Sequence, residues 1–410
     1  MITKNESSTK KQKERRRRTF GSIYQRNSNR FEATYYFRKE RFRFVTTTYA
    51  EADAQLKKIE AEIALNTYSE GSNMLFKDWL THWLEVFVKY SVKSPTYSSY
   101  KGIIENHIIP ALGEIKLNSI TADHLQSFLN KKSVEGRGDG KPGGLSQKTV
   151  NNIRLVLAKA LSTAEIHDKL VKNPTRAVSI ASPKHPEMRV LTRLEQEIIE
   201  NAVNASASPN TFGITIALYT GLRLGELLGL TLDCLHLDSP TPYIDVKRQL
   251  TRQVITPKLD EGTKIIRLGN KTRLVLGPLK TKNAYRRLYL PDFIVPMFEK
   301  IIENHNTLKV LLGSTINKHE FVFINTFGEV YDPRSFTQFF YDIVQSCDLN
   351  HANFHCLRHT YATRCSQNGV SPTVLSRLLG HAQASTALNM YTHAQDDEML
   401  AASMAFSRNK

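Results

Sequence analysis

Apolar and polar positions alternate in three different ways along this chain, and each pattern predicts a different structure. Over 20–49 the runs FGSIYQR, RFEATYYF and RFRFVTTTY are short, aromatic and β-branched, and are separated by turn-length polar links. Such runs predict a three-stranded antiparallel sheet. Thr48 and Glu51 have capping-box spacing and open a helix to about Ile63, so 19–66 reads as a small sheet backed by one helix. From 74 the period lengthens: Phe76, Trp79, Leu80, Trp83 and Phe87 recur at i, i+3, i+4, i+7 and i+11, one apolar stripe that reads as core. Helical stretches near 95–109, 121–132 and 146–167 follow. The last puts Val150, Ile153, Leu157, Leu161 and Ala164 on one face, and 73–172 is expected to be an all-α domain.

NPTRAVSIASPKHPE, with three prolines and no periodicity, reads as a linker within 173–190. The third pattern begins at Thr192, which forms another capping-box pair with Glu195. TFGITIALYTGLRLGELLGL predicts a buried helix, a turn at Gly221 and a second helix carrying Glu226. PYIDVKRQL, TRLVLGPLK and YRRLYLP are strand-like, and helices follow to the end. The expected fold class is multidomain α+β: the small N-terminal sheet plus helix, the all-α domain, and a mixed helix-dominated domain over 191–393 with a small antiparallel sheet. A basic tail, 1–18, and a C-terminal arm, 394–410, flank these domains.

Charge narrows the function. Of 410 residues 56 are Lys or Arg against 39 Asp or Glu, and a formal net charge of +17 favours a polyanionic partner, nucleic acid or an acidic membrane surface. No run approaches the ~20 apolar residues of a membrane span, and the N-terminus lacks the apolar core of a signal peptide. A cytoplasmic, nucleoid-associated protein with no membrane partner is expected. Cys234, Cys347, Cys356 and Cys365 are too few and too uneven for a disulfide framework and read as reduced thiols. In the first sheet Arg26, Arg30, Arg38, Arg41 and Arg43 are interleaved with aromatics, which makes its exposed face a candidate for a DNA major groove.

Three kinds of chemistry compete for the segment HCLRH, 355–359. His355, Cys356, His359, Cys365 and His381 are all metal-ligand types, yet only His355 and His359 have ligand spacing, and the turn between them holds Arg358 instead of the glutamate of a zinc hydrolase. No metal is expected. Nucleotide-driven chemistry lacks a phosphate-binding loop, and the glycines at 138, 140 and 143 follow no strand and are interrupted by Pro142. No cofactor is expected either. A phosphodiester site built from scattered cations remains. Planar guanidiniums match two non-bridging oxygens of a phosphoryl transition state, and Arg223, Arg358, His355 and His381 supply the cations.

TGLRLGEL at 220–227, LKTKNAYRRLYLP at 279–291, HCLRHTYAT at 355–363 and LLGHAQASTALNMYTH at 378–393 stand in order along the chain. With these motifs the sequence resembles the tyrosine recombinases, or phage integrases, and most closely those of temperate phages and conjugative transposons of Gram-positive bacteria. The resemblance spans nearly the whole chain. It implies an arm-type DNA-binding domain at 19–66, a core-binding domain at 73–172 and a catalytic domain at 191–393. It also implies Tyr391 as nucleophile and Arg223 and Arg358 as the phosphate clamp. His355 would assist proton transfer, His381 would bond the phosphate, and Lys280 would be the general acid, with Lys282 the alternative. Glu226 is expected to orient Arg223 or to cap structure. The implied partners are duplex attachment sites of core and arm type, a homotetramer on DNA, an excisionase and a host DNA-bending protein. Two alternatives stay open: a DNA-binding architectural or regulatory protein with an inactive site, and a relaxing enzyme of the type IB topoisomerase kind.

Overall fold

In the N-terminal segment the alternation of side chains builds the sheet directly. β1 (Ser22–Asn27), β2 (Arg30–Phe37) and β3 (Glu40–Thr46) run antiparallel in that order. Their register sets Ile23 against Ala33, Ala33 against Phe44 and Tyr35 against Phe42. That face packs on Ala52, Leu56 and Ile59 of α1 (Tyr49–Ala64), whose start is closed by the full Thr48–Glu51 capping box. The computed structural model describes residues 20–37, 39–65, 68, 74–138, 141–181, 189–206, 208–313, 318–349 and 352–380. The expected basic tail, Arg38, His381, Tyr391 and the C-terminal arm lie outside the described residues. The chain divides into two compact units: one holds residues up to Val88 and Tyr100–Pro183, the other Lys89–Ser99 and everything from Lys184.

Within the first unit the aromatic stripe is core, as its period requires. α2 (Phe76–His82) continues through wider π-type turns over Trp83–Val88. α3 (Ser94–Ile103), whose first six residues belong to the second unit, precedes α4 (Ile109–Leu112), α5 (Ala122–Glu135) and α6 (Gln147–Ile166). Trp79 and Trp83 are buried, and each indole N–H finds an acceptor on α6, the Ala160 carbonyl and the Thr163 hydroxyl, both at 3.0 Å. A buried indole without such a partner would lose the benefit of its apolar area. The described part of the proline-rich stretch is pinned by local hydrogen bonds. Asn173 caps a short 3₁₀ turn, Pro174–Ala177, and Gln126 on α5 bonds both the N–H and the C=O of Ser179.

The second unit starts with α7 (Arg193–Ala205), opened by the Thr192–Glu195 capping box. α8 (Phe212–Thr220) is almost wholly buried, and α9 (Leu224–Leu228) follows after one turn. Six strands come next: β4 (Leu235–His236), β5 (Tyr243–Val246), β6 (Arg248–Val254), β7 (Lys264–Leu268), β8 (Thr272–Pro278) and β9 (Arg286–Tyr289). The expected small sheet is resolved as two, ordered β4-β5-β9 and β6-β8-β7. The cause is a short 3₁₀ turn, Lys282–Ala284, which leads the chain off β8 so that β9 pairs with β5. α10 (Val295–Leu312), α11 (Pro333–Ser346), α12 (Phe354–Gln367) and α13 (Pro372–Leu379) complete the described part. The apolar faces of α10, α11 and α12, with Phe298, Phe336, Phe340 and Leu357, close one core around α8, while Leu375 and Leu379 of α13 pack with Ala362 in a smaller cluster. No helix among the described residues is long and apolar enough to cross a membrane.

Candidate active site

α8 ends in a left-handed residue, Gly221 (φ 66°), as helices ending in glycine commonly do. A Cβ there would lie 2.5 Å from the Tyr361 ring, so this turn needs glycine for both backbone and space. Two residues on, Arg223 is the N-cap of α9. Glu226, at the third helical position, accepts the Arg223 backbone N–H at 3.1 Å and its Nη1 at 2.6 Å. The glutamate therefore both caps the helix and aims the guanidinium, the two roles expected for it. Glu226 is buried, whereas the Arg223 side chain keeps 39% of its surface exposed.

The second carboxylate oxygen of Glu226 accepts Nη2 of Arg286 at 2.8 Å. Arg286 is the buried member of a strand pair whose other member, Arg287, faces outward, the two-residue alternation of a strand. Its Nε donates to the Leu378 carbonyl at 2.6 Å and its Nη1 to the Ala284 carbonyl at 2.9 Å. Arg358, on α12 and also buried, donates from Nη1 to the Gly221 carbonyl at 2.7 Å and from Nη2 to the Leu379 carbonyl at 2.5 Å. Leu378 and Leu379 belong to the last turn of α13, whose carbonyls lack helical partners. Two guanidiniums satisfy them and complement the negative end of the helix dipole. The result is a continuous chain of contacts: Arg223, Glu226, Arg286, the end of α13, Arg358 and back to the turn before Arg223.

Electrostatics follow from this arrangement. Burial opposes ionisation of Glu226, but the Arg286 and Arg223 charges outweigh it and hold the carboxyl below the usual carboxylate range. The His355 ring reaches solvent, yet the protein packed around it, followed by the charges of Arg358 and Arg223, pushes its pKa below that of an ordinary histidine. His359 is buried edge-on against His355, ring centroids 4.6 Å apart. Burial, then His355 and Arg358, bring it down to about 4. At neutral pH both imidazoles are neutral.

The residues expected at the catalytic centre fall into three groups. Arg223, Arg358, His355 and Glu226 are brought together. Lys280 and Lys282 are exposed on the connection between β8 and β9, where Lys280 sits in a bend and Lys282 in the 3₁₀ turn. They share no extended run, so strand geometry does not select between them. His381 and Tyr391 lie outside the described residues. Gly380, left-handed at φ 62°, leads into that segment directly from the helix end held by Arg286 and Arg358. Arg286 is the residue that sequence reasoning missed. It stands inside the quoted LKTKNAYRRLYLP, but a pair of arginines in a strand-like run reads as surface charge until the buried partner of one of them is known. On the N-terminal sheet, Arg41 and Arg43 are exposed opposite Tyr36 and Thr34, Arg26 is exposed and paired with Glu32 at 3.0 Å, and Arg30 starts β2 beside the turn.

Residues 189–398 match the phage integrase family, and 75–133 match the phage integrase N-terminal SAM-like domain. A XerC-like tyrosine recombinase of Caldanaerobacter subterraneus subsp. tengcongensis is 30% identical over 83% of this chain and 85% of its own length. Among solved structures, the Tn1549 transposon integrase in complex with a circular intermediate DNA covers 82% of this chain and 100% of that chain, at 22% identity and a TM-score of 0.63. A lambda integrase tetramer bound to a Holliday junction covers 92% of this chain and 96% of that one, at 18% identity and a TM-score of 0.55.

Proposed function

The chain belongs to the phage integrase family, the tyrosine recombinases, and from that premise we propose that it cuts and rejoins DNA through Tyr391, with Arg223 and Arg358 holding the scissile phosphate. As a family member it is a site-specific recombinase of mobile-element DNA. The observation that carries the residue assignment is the contact chain linking Arg223, Glu226, Arg286 and Arg358 to the end of α13, from which the Tyr391 segment departs.

In this reading the Tyr391 oxygen attacks phosphorus, the bond to the 5'-oxygen breaks, and a 3'-phosphotyrosyl link and a free 5'-hydroxyl result. The phosphodiester energy is kept in the covalent link, so rejoining needs no nucleotide. A tyrosine with an ordinary pKa near ~10 is about one part in a thousand ionised at neutral pH, and neutral His355 would take its proton. Lys280 gives a proton to the leaving oxygen. Arg358, whose Nη1 and Nη2 donate to the Gly221 and Leu379 carbonyls, would bring its positive charge to the phosphate from the same cluster. His381 adds a further donor. We assign the N-terminal sheet, with Arg26, Arg30, Arg38, Arg41 and Arg43, to arm-site DNA, residues 73–172 to core-site DNA, and the working form to a tetramer on DNA. An excisionase and a DNA-bending host protein would set direction.

The test is a nicked suicide duplex carrying the element's attachment site. Wild type should trap a covalent protein–DNA adduct, and Tyr391→Phe should bind the duplex within about twofold yet form none. An adduct with the Phe variant would remove Tyr391 from its role. Binding without any wild-type adduct would favour the inactive DNA-binding alternative.

A further inference from the structure

A cavity of about 760 Å³ in the second unit gathers cations that the active site does not use. Lys247 and Arg248 come from the junction of β5 and β6, Lys264 from the start of β7, Lys309 from the last turn of α10, and Lys318 with His319 from the segment that follows. Five cationic side chains thus face two carboxylates, Asp233 and Glu320. Asp233 is occupied by Arg248 at 2.6 Å, and Lys247 lies 3.6 Å from Asp245. Lys264, Lys309 and Lys318 take part in no ion pair among the described residues. Glu320 holds a left-handed backbone (φ 53°) without being glycine, while its carbonyl accepts the Leu232 N–H.

Like charges converging in one recess, on elements from four places in the chain, repel one another unless an anion joins them. His319 registers that field: burial, then the Lys264 and Lys318 charges, hold it below the ordinary histidine range. Ammonium groups with rotatable donors suit phosphate as point charges. Pro278 and Tyr285, on the cavity wall, flank the connection that carries Lys280 and Lys282.

We propose that this cavity is a phosphate-binding site, separate from the Arg223–Arg358 centre, that seats phosphate groups of a polyanion beside the lysine connection. The phosphates come either from the backbone of bound DNA, in which case the inference rests on the recombinase reading, or from a free polyphosphate, in which case it stands without it.

The test compares full-length wild type with K264Q/K309Q/K318Q, and with K318Q alone should the triple variant melt at a lower temperature. Inorganic tripolyphosphate is titrated by calorimetry, with hydrogen exchange over 277–285 and 318–320 to locate it. Affinity for a mixed-sequence 30-bp duplex is measured against salt. For a DNA source, the triple variant should reduce the slope of log affinity against log salt by about 2 to 3, at ~0.9 for each lost phosphate contact. For a free source, wild type should bind tripolyphosphate with protection at those segments, the variant at least tenfold more weakly, and the duplex slope should stay unchanged. Unchanged behaviour in both arms overturns the proposal. Loss of slope together with an intact Tyr391-dependent adduct at saturating protein supports this site and leaves the recombinase reading untouched. Charge-dependent tripolyphosphate binding without any wild-type adduct overturns that reading alone.

Discussion

Arg286 bears on three neighbours at once, so its replacement separates positioning from simple charge. Arg286→Ala leaves Glu226 buried beside one guanidinium only, and breaking a buried pair costs about 3–5 kcal/mol. Arg286→Lys keeps the charge but cannot reach Glu226, Ala284 and Leu378 together, because an ammonium is a point donor. Folding of the Lys variant should be nearly preserved in urea titrations while single-turnover adduct formation falls about 10²-fold, the scale of a small misplacement at a reacting centre, with duplex affinity unchanged. Equal losses of binding and rate would reduce Arg286 to a structural role. A second residue-scale outcome concerns pH. His359 is held at about 4 in the folded chain and returns to ~6.5 when unfolded, so the unfolded state binds its proton first. Its contribution to stability, on the order of 3 kcal/mol, is complete above ~6.5 and is lost as pH falls toward 4. In urea titrations His359→Phe should flatten stability between pH 4 and 6.5, whereas wild type should decline across that window.

At the scale of elements, what the sequence makes legible is what local chemistry decides. The Thr48–Glu51 and Thr192–Glu195 pairs place the starts of α1 and α7 because a capping box is closed within four residues. Strand pairing is not local. Nothing in TRLVLGPLK or YRRLYLP says that β8 joins β6 and β7 while β9 joins β5, and the buried role of Arg286 depends on Glu226, 60 positions earlier. The turn between α8 and α9 was legible through Gly221, and it is also a sensitive point. Gly221→Ala meets both a left-handed backbone and the Tyr361 ring, so a melting curve should show a loss of more than about 1 kcal/mol. A variant as stable as wild type would mean that the turn can relax without moving Arg358.

Over the whole molecule the net charge of +17 is unevenly written, and residues 1–18 carry KKQKERRRR. Deleting 1–18 should weaken binding to a mixed-sequence duplex about tenfold or more at 50 mM salt and much less at 200 mM, because each lost phosphate contact also removes a released counterion. Anisotropy titrations at the two salt concentrations check this. An equal loss at both would show that the tail acts through shape and not through charge.

The grip on the end of α13 also bears on how such a chain can vary. Arg286 and Arg358 hold the main-chain oxygens of Leu378 and Leu379, not their side chains. Drift in the identity of that last turn, within the limits of packing, leaves the joint before the proposed nucleophile intact. Drift at its glycines or arginines does not. Among divergent relatives the joint would persist as a pattern of backbone acceptors read by two cations, with the leucines free to be exchanged for other apolar residues.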